Sequence, residues 1–282
     1  TQLVTDVFNG DTGVTSRYTS LTIADLNGDG YMDLFVGGLT DASSSSAASQ
    51  IHYNNGAGLL TTASNGVGTS SNLQTFSDTV EARTSLAVDW NGDGRMDVIE
   101  IAGENTAVNN AGNIGALWVN GGTNASTQQV NWTSQTILSQ ANTSTTNLVT
   151  GALAVDLDYD GDQDLVVFRA EGGATSYIAN TNTVTDGTSM AVRILDKEGV
   201  NSFYGNTVML IDEATGSVVS SQVINSQSGV NTNNSTGLVY FYGLDESKSY
   251  SVVMLANGSV YGGVSSVTLA SGTNTIENVS ST

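Results

Sequence analysis

Short β-prone segments recur in a fixed order along the first two-thirds of the chain. "TSLTIA" (19–24), "TSLAV" (84–88) and "GALAV" (151–155) each run into an acidic turn. "LFVG" (34–37), "VIEIAG" (98–103) and "LVVF" (165–168) follow the turns. A third segment then ends in asparagine: "IHYNN" (51–55), "LWVNG" (117–121) and "YIANT" (177–181). Short alternating or apolar runs divided by Gly, Asn and Ser predict strands and turns, and so an all-β fold. Long helical periodicity is missing. The turns start at Asp25, Asp89 and Asp156, 64 and 67 residues apart. A period of about 65 residues with three or four strands predicts blade-like sheets set side by side. The low-complexity "TDASSSSAASQ" of 40–50 falls between the second and third strands and reads as a surface loop.

The rhythm stops after about residue 180, dividing the chain at 1–182 and 183–282. The later segments are "MAVRIL", "TVMLID", "SVVSSQVI", "GLVYFYGL", "YSVVML" and "SVTLA", with "EATG" and "ANG" as turns between them. Without an acidic turn among them, they predict a small antiparallel β-sandwich.

The turns carry the candidate chemistry. Counted from its first aspartate, each holds Asp25, Asp89 or Asp156 at position 1 and Asn27, Asn91 or Asp158 at position 3. Position 5 is Asp29, Asp93 or Asp160, position 6 is always glycine, and position 9 is Asp33, Asp97 or Asp164. Alternate side chains supply oxygens, the glycine permits the bend, and the carbonyl at position 7 (Tyr31, Arg95, Asp162) is the expected backbone ligand. About six or seven hard oxygen donors on a flexible loop suit calcium, one ion per turn and about three in all. Magnesium keeps more of its water, and zinc prefers His or Cys. Such turns also serve as plain hairpin turns, because Asn, Asp and Gly tolerate positive φ. Three copies with acids at positions 1, 5 and 9 favour the metal. The second turn satisfies an EF-hand pattern through Glu100 at position 12, but Val36 and Val167 replace it elsewhere and the flanks read as strands. The ions are expected to be structural, clamping two strands of one blade and binding only the folded loop.

Composition narrows the partners. The 282 residues carry 27 acidic and 7 basic side chains, a net charge of −20. That excludes nucleic acid and anionic membrane surfaces, which need clustered Lys and Arg. Eleven of the acids lie in the three turns, and an acidic surface this poor in lysine suits saline surroundings. Cysteine is absent, so there is no disulfide framework, thiolate zinc site or thiol nucleophile. No apolar run approaches the roughly 20 residues that cross a bilayer, so no membrane insertion is expected. The chain opens at Thr1 without Met, as it would after removal of a signal peptide.

The turns and their flanking strands resemble the calcium loops of FG-GAP/VCBS repeats, the blades of integrin-like β-propellers, over roughly residues 1–180. Residues 183–282 are similar to the ASPIC/UnbV domain through "MAVRILDKEGVNSFYGNTVMLID", "VYFYGLDESKSYSVVMLANG" and "GTNTIEN". They depart from it where Leu255 and Ala256 replace the usual proline and tryptophan. The resemblance implies a secreted or surface-displayed protein with a role in adhesion or assembly. Integrin-like propellers carry about seven blades and closed rings need at least four, whereas three repeats are clear here. Either the sequence is a piece of a longer protein or the blades form an open arc, whose exposed edges invite self-association.

Catalysis finds little support. His52 is the single histidine and sits on a strand, where a structural role is expected. No serine lies in a nucleophile-elbow motif. Glu100, Glu104 and Glu171 lie just beyond the metal turns and are the residues that would flank a glycosidic bond. Trp90, Trp118, Trp132, Tyr53 and Tyr177 are candidates for a sugar platform, with packing between blades as the competing use. The expectation is a non-enzymatic, calcium-binding structural or adhesive protein whose partner is another copy, another surface protein or a glycan. A carbohydrate-binding module comes second, and a calcium-dependent polysaccharide-degrading enzyme third.

Overall fold

The computed structural model describes residues 17–39, 48–54, 73–76, 82–102, 113–127, 129–139, 149–158, 162–169, 174–181, 188–195, 203, 206–224, 238–256, 259–268 and 273–277. Among them there is no helix, and the architecture is all-β. Asp160, Glu104, Glu171 and most of the 40–50 stretch lie outside the described residues.

The first sheet is an antiparallel meander of β1 (Arg17–Ala24), β2 (Asp33–Leu39), β3 (Gln50–His52) and β4 (Leu73–Thr75). The second repeats it with β5 (Ala82–Val88), β6 (Asp97–Ala102), β7 (Asn113–Thr123) and β8 (Val130–Ser139). The third has β9 (Val149–Val155), β10 (Asp164–Arg169) and β11 (Ser176–Ile178). In each, the acidic turn joins the first two strands, which pair antiparallel across it.

The sheets stack, and their cores are the seams between neighbours. Leu26, Phe35, Ile51 and Phe76 from the first sheet pack on Ala87, Val98 and Trp118 from the second. The Phe76 ring centroid lies 5.7 Å from Phe35 and 4.6 Å from Trp118, a tilted aromatic cluster across the seam. Leu86, Trp90, Ile99 and Leu117 then pack on Ala152, Ala154, Leu165 and Val167 of the third sheet. The middle sheet is covered on both faces, which is why β5 is buried at every position but Arg83 and β6 is buried from Asp97 to Ile101. Thr22 ties the inner strands together, its hydroxyl donating to the Ser85 carbonyl at 2.8 Å. Among the described residues no closed barrel is seen.

The remaining strands form two sheets around a third core. β13 (Thr207–Asp212), β14 (Val218–Val223), β16 (Ser249–Ala256) and β17 (Ser259–Thr268) run antiparallel in the order β14-β13-β16-β17. β12 (Ser189–Arg193) lies between β15 (Leu238–Phe241) and β18 (Thr273–Glu277). Alternate residues of β12, β13 and β16 meet between the sheets, among them Met190, Val192, Leu210, Val252 and Met254. The sequence leads one to expect a wholly antiparallel sandwich. Instead, β12 and β18 pair in parallel, so the last strand enters beside β12 in the same direction. β17 also begins seven residues before "SVTLA". Within it Gly263 lies against the Val252 carbonyl, where an added Cβ would sit 2.7 Å from that oxygen.

Candidate functional site

Each acidic turn is organised by its own backbone amides. In the first, Asp25 Oδ1 accepts from the amides of Gly28 (2.8 Å) and Asp29 (3.1 Å), and Oδ2 from Gly30 (2.9 Å). In the second, Asp89 accepts from Asp93 (3.0 Å) and Gly94 (2.8 Å). Position 6 must turn left-handed, with φ of 88° at Gly30 and 84° at Gly94, a conformation that favours glycine. Asn27 and Asn91 brace position 5 from both sides: the side-chain oxygen accepts the Asp29 or Asp93 amide, and the side-chain amide donates to the same residue's carboxylate. At position 7 the Tyr31 and Arg95 amides donate to Asp29 and Asp93. The Arg95 side chain folds back, pairing with Asp93 and donating from Nε to the Asn120 carbonyl at 2.9 Å.

Position 9 reveals a device that the sequence shows but does not explain. Asp33, Asp97 and Asp164 each accept the amide of position 2 on Oδ2: Leu26 at 2.9 Å, Trp90 at 3.0 Å and Leu157 at 2.9 Å. On Oδ1 each accepts the amide of the asparagine recurring in the third segment: Asn54 at 2.8 Å, Asn120 at 2.7 Å and Asn180 at 2.9 Å. The side-chain amides of those asparagines donate to the position 8 carbonyls of Met32, Met96 and Gln163. Two of them also reach the preceding sheet, Asn120 to the Leu26 carbonyl at 2.8 Å and Asn180 to the Trp90 carbonyl at 2.7 Å. The asparagine recurring in the third segment was the signal. It reads as a turn residue until the carbonyls it meets are placed.

In the third turn, one carboxylate oxygen from each of Asp156, Asp158 and Asp164 lies within 4.8 Å of the others, an arrangement that could hold a metal ion. All the donors are hard oxygens, the set that fits a group 2 cation. The Tyr177 hydroxyl donates to Asp164 at 3.1 Å, and Asp162 is buried. In the first two turns the position 1 and position 9 acids are buried, and burial is the largest influence on each. It raises Asp25, and it pushes Asp33 to about 8, Asp89 to about 7 and Asp97 to about 6. Neighbouring aspartates add to the rise, while loop amides oppose it.

The sandwich lies against these turns. Ser221 on β14 donates its hydroxyl to Asp25 Oδ2 at 2.7 Å, 196 residues away in sequence. Gly243 sits on the second turn, where an added Cβ would be 1.7 Å from the Gly92 oxygen. Tyr242 is buried beside it, its charged neighbours being Asp156, Asp89 and Asp162. A cleft of about 150 Å³ between the first two turns and β14 is lined by Asp25, Asn27, Arg95, Thr123 and Ser220.

Other candidates fall into structural places. Glu100 is fully buried and accepts from the Ser49 hydroxyl at 2.5 Å and the Trp118 indole at 2.6 Å, bridging two sheets. His52 is buried on β3, and burial lowers its pKa. Tyr53, Trp90 and Trp118 are packed in the seams, so none can stack on a sugar without opening one.

A family model described as the FG-GAP repeat matches residues 18–46, which cover the first turn and its flanking strands. Repeats of that kind often bind calcium and are typical of extracellular or surface proteins. No curated protein matches the chain. Among the described residues, no helix is long and apolar enough to cross a membrane.

Proposed function

We propose that the chain is a calcium-binding structural or adhesive module of an extracellular surface, built from three propeller-like blades and an ASPIC/UnbV-like sandwich. The convergence of Asp156, Asp158 and Asp164 carries this reading. The FG-GAP match over the first turn, and the same position 9 bonding in all three, extend it to about three ions. Calcium would be held by positions 1, 3, 5 and 9 with the position 7 carbonyl. It would supply positive charge among the clustered carboxylates, where the second turn already holds one cation, Arg95, paired with Asp93, and would fix the strand pair on either side. Its role is structural rather than catalytic, because the buried acids serve loop geometry and Glu100 serves a seam. The partner is a surface component: another copy, another protein or a glycan.

Calorimetric titration of the full chain with calcium tests the reading. About three ions should bind, and Asp164→Asn should remove one while the rest remain. Absence of calcium binding by the folded protein would reduce the turns to ordinary hairpin connections.

A further inference from the structure

The two seams are built by one rule, and each end of the stack displays half of it. Every sheet has a leading face, towards the next repeat, and a trailing face, towards the previous one. At the leading face, the residue at position 2 of the turn is covered by the following sheet. Leu26 is 1% exposed and Trp90 6%, and each carbonyl receives the asparagine amide of that following sheet. The equivalent residue in the third repeat, Leu157, is 47% exposed. The cross-strand row beside it behaves alike. Leu86, Ile99 and Leu117 are buried, whereas their counterparts Leu153 and Val166 are only half-buried and Tyr177 is 49% exposed.

The trailing face shows the converse. On the inner strands of the second and third sheets, Ser85 and Ala87, then Ala152 and Ala154, are buried against the sheet before. The same positions on β1 hold Leu21 and Ile23, which are 49% and 50% exposed. Asn54 is half-buried where Asn120 and Asn180 are buried. The open part of this face is the β1 strip, since Val36 and His52 beyond it are buried. Large apolar side chains half exposed on a strand cost little to cover and gain from it.

From this complementarity we infer that the leading face of the third sheet takes the trailing face of the first sheet of a second copy. Leu21 and Ile23 of one molecule cover Leu157 and Tyr177 of the other. A second copy is the occupant because the chain carries both surfaces, the open leading face of the third sheet and the apolar β1 strip of the first, at the places where its own sheets meet. The contact is head-to-tail, so it propagates into a ring or a filament. The net charge of −20 opposes it, and screening or bound cations favour it. The inference rests on the reading of the chain as a structural module and names the surface by which it assembles.

The test uses two full-length variants at half-exposed positions, Leu157→Lys and Ile23→Lys, with circular dichroism to confirm their folds. Burying an unpaired ammonium blocks one face in each and leaves the other intact. In sedimentation velocity with calcium, the unmodified chain should gain mass with concentration, and each variant alone should stay monomeric. Their mixture should give a one-to-one dimer and nothing larger, because each still offers the half that the other lacks. A monomeric unmodified chain at every concentration overturns the inference, as does a mixture that fails to pair or a variant that assembles like the parent. Calcium titration on the same samples separates the two readings. Calcium bound by a strict monomer leaves the proposed function and removes the joint. If calcium fails to bind, the proposed function falls, and the mixing result still decides the joint.

Discussion

Two buried turn aspartates, Asp89 in the second sheet and Asp212 in the sandwich, show how differently the halves of the molecule handle charge. Asp212 accepts from the Ala214 and Thr215 amides and pairs with Lys248 at 3.0 Å, and that ammonium foremost holds it below the usual carboxylate range. Asp89 also accepts two loop amides, but burial and the neighbouring Asp93 and Asp97 push it up to about 7. The sandwich turn brings its counter-charge within the chain. The second acidic turn pairs its own cation, Arg95, with Asp93 and surrounds Asp89 with further acid. Asp89 and its acidic neighbours are eased by a cation or a proton, and this contrast is what the proposed calcium site rests on against an ordinary Asp-rich turn.

The cores differ in the same spirit, since the sandwich has one core between two sheets while the stacked sheets share theirs pairwise. Phe35→Ala should therefore have the largest effect. The ring is fully buried in the first seam, and its loss costs about 3–5 kcal/mol. Denaturant unfolding with native-state hydrogen exchange should show protection lost from β5–β8 as well as β1–β4. If exchange in the second sheet is unchanged, the seam does not couple the sheets. Leu210→Ala in the sandwich costs a comparable amount, roughly 2–5 kcal/mol, with its loss centred on β12–β17.

Chelation comes next. An ion that binds only the folded loop stabilises it by about 2.7 kcal/mol at a hundredfold excess over its Kd, so EGTA should lower the melting temperature substantially. The pH dependence should also change sign. Without calcium, Asp33, Asp89 and Asp97 hold protons in the fold up to about 8, 7 and 6, against about 3.9 when unfolded. The folded state then binds more protons, so stability falls as pH rises from about 4 to about 8. With calcium the carboxylates must be ionised, so stability instead falls as pH is lowered through the acid range. Melting curves at two pH values with and without EGTA check both slopes. Parallel slopes would show that the position 1 and position 9 acids do not hold the ion.

How much of this was legible depended on how local each cause was. Acids at alternate positions with glycine at position 6 act within nine residues, so the loop could be read from the chain alone. So could the strands beside it, whose apolar runs mark faces buried in seams. The position 9 contact to Asn54, Asn120 and Asn180 was visible as a pattern but not as a bond, because it needs the third strand in place. The Ser221 contact with Asp25 was out of reach, since nothing distinguishes one serine in a serine-rich chain until β14 meets the first turn. The parallel entry of β18 was hidden too, because an apolar pattern fixes the face of a strand and not its direction.

A smaller effect separates inner from terminal repeats. Asn120 is buried and donates to both Met96 and Leu26, so Asn120→Ala leaves two carbonyls short of a donor and costs about 1–3 kcal/mol. Asn54→Ala should cost less in the monomer, because Asn54 is half-buried at the open end of the stack. Equal losses in urea unfolding at low protein concentration would mean that the contact across the seam adds nothing.

The smallest effect returns to Asp212. Because its folded pKa is lowered, its pairing contributes stability above the unfolded value near about 3.9 and loses it as pH falls through the folded value. Lys248→Met removes that contribution, so the variant should be slightly less stable at neutral pH and indistinguishable from the parent in acid. Its ammonium is exposed and screened, which keeps the loss small. Carboxyl NMR should show the Asp212 pKa move upward, and calcium stoichiometry should not change, since one carboxylate with two amide donors is not a cation loop. Should Lys248→Met create a new calcium site, a missing counter-charge alone would suffice to make one, and the ordered oxygens at positions 1, 3, 5 and 9 would lose their place in the argument.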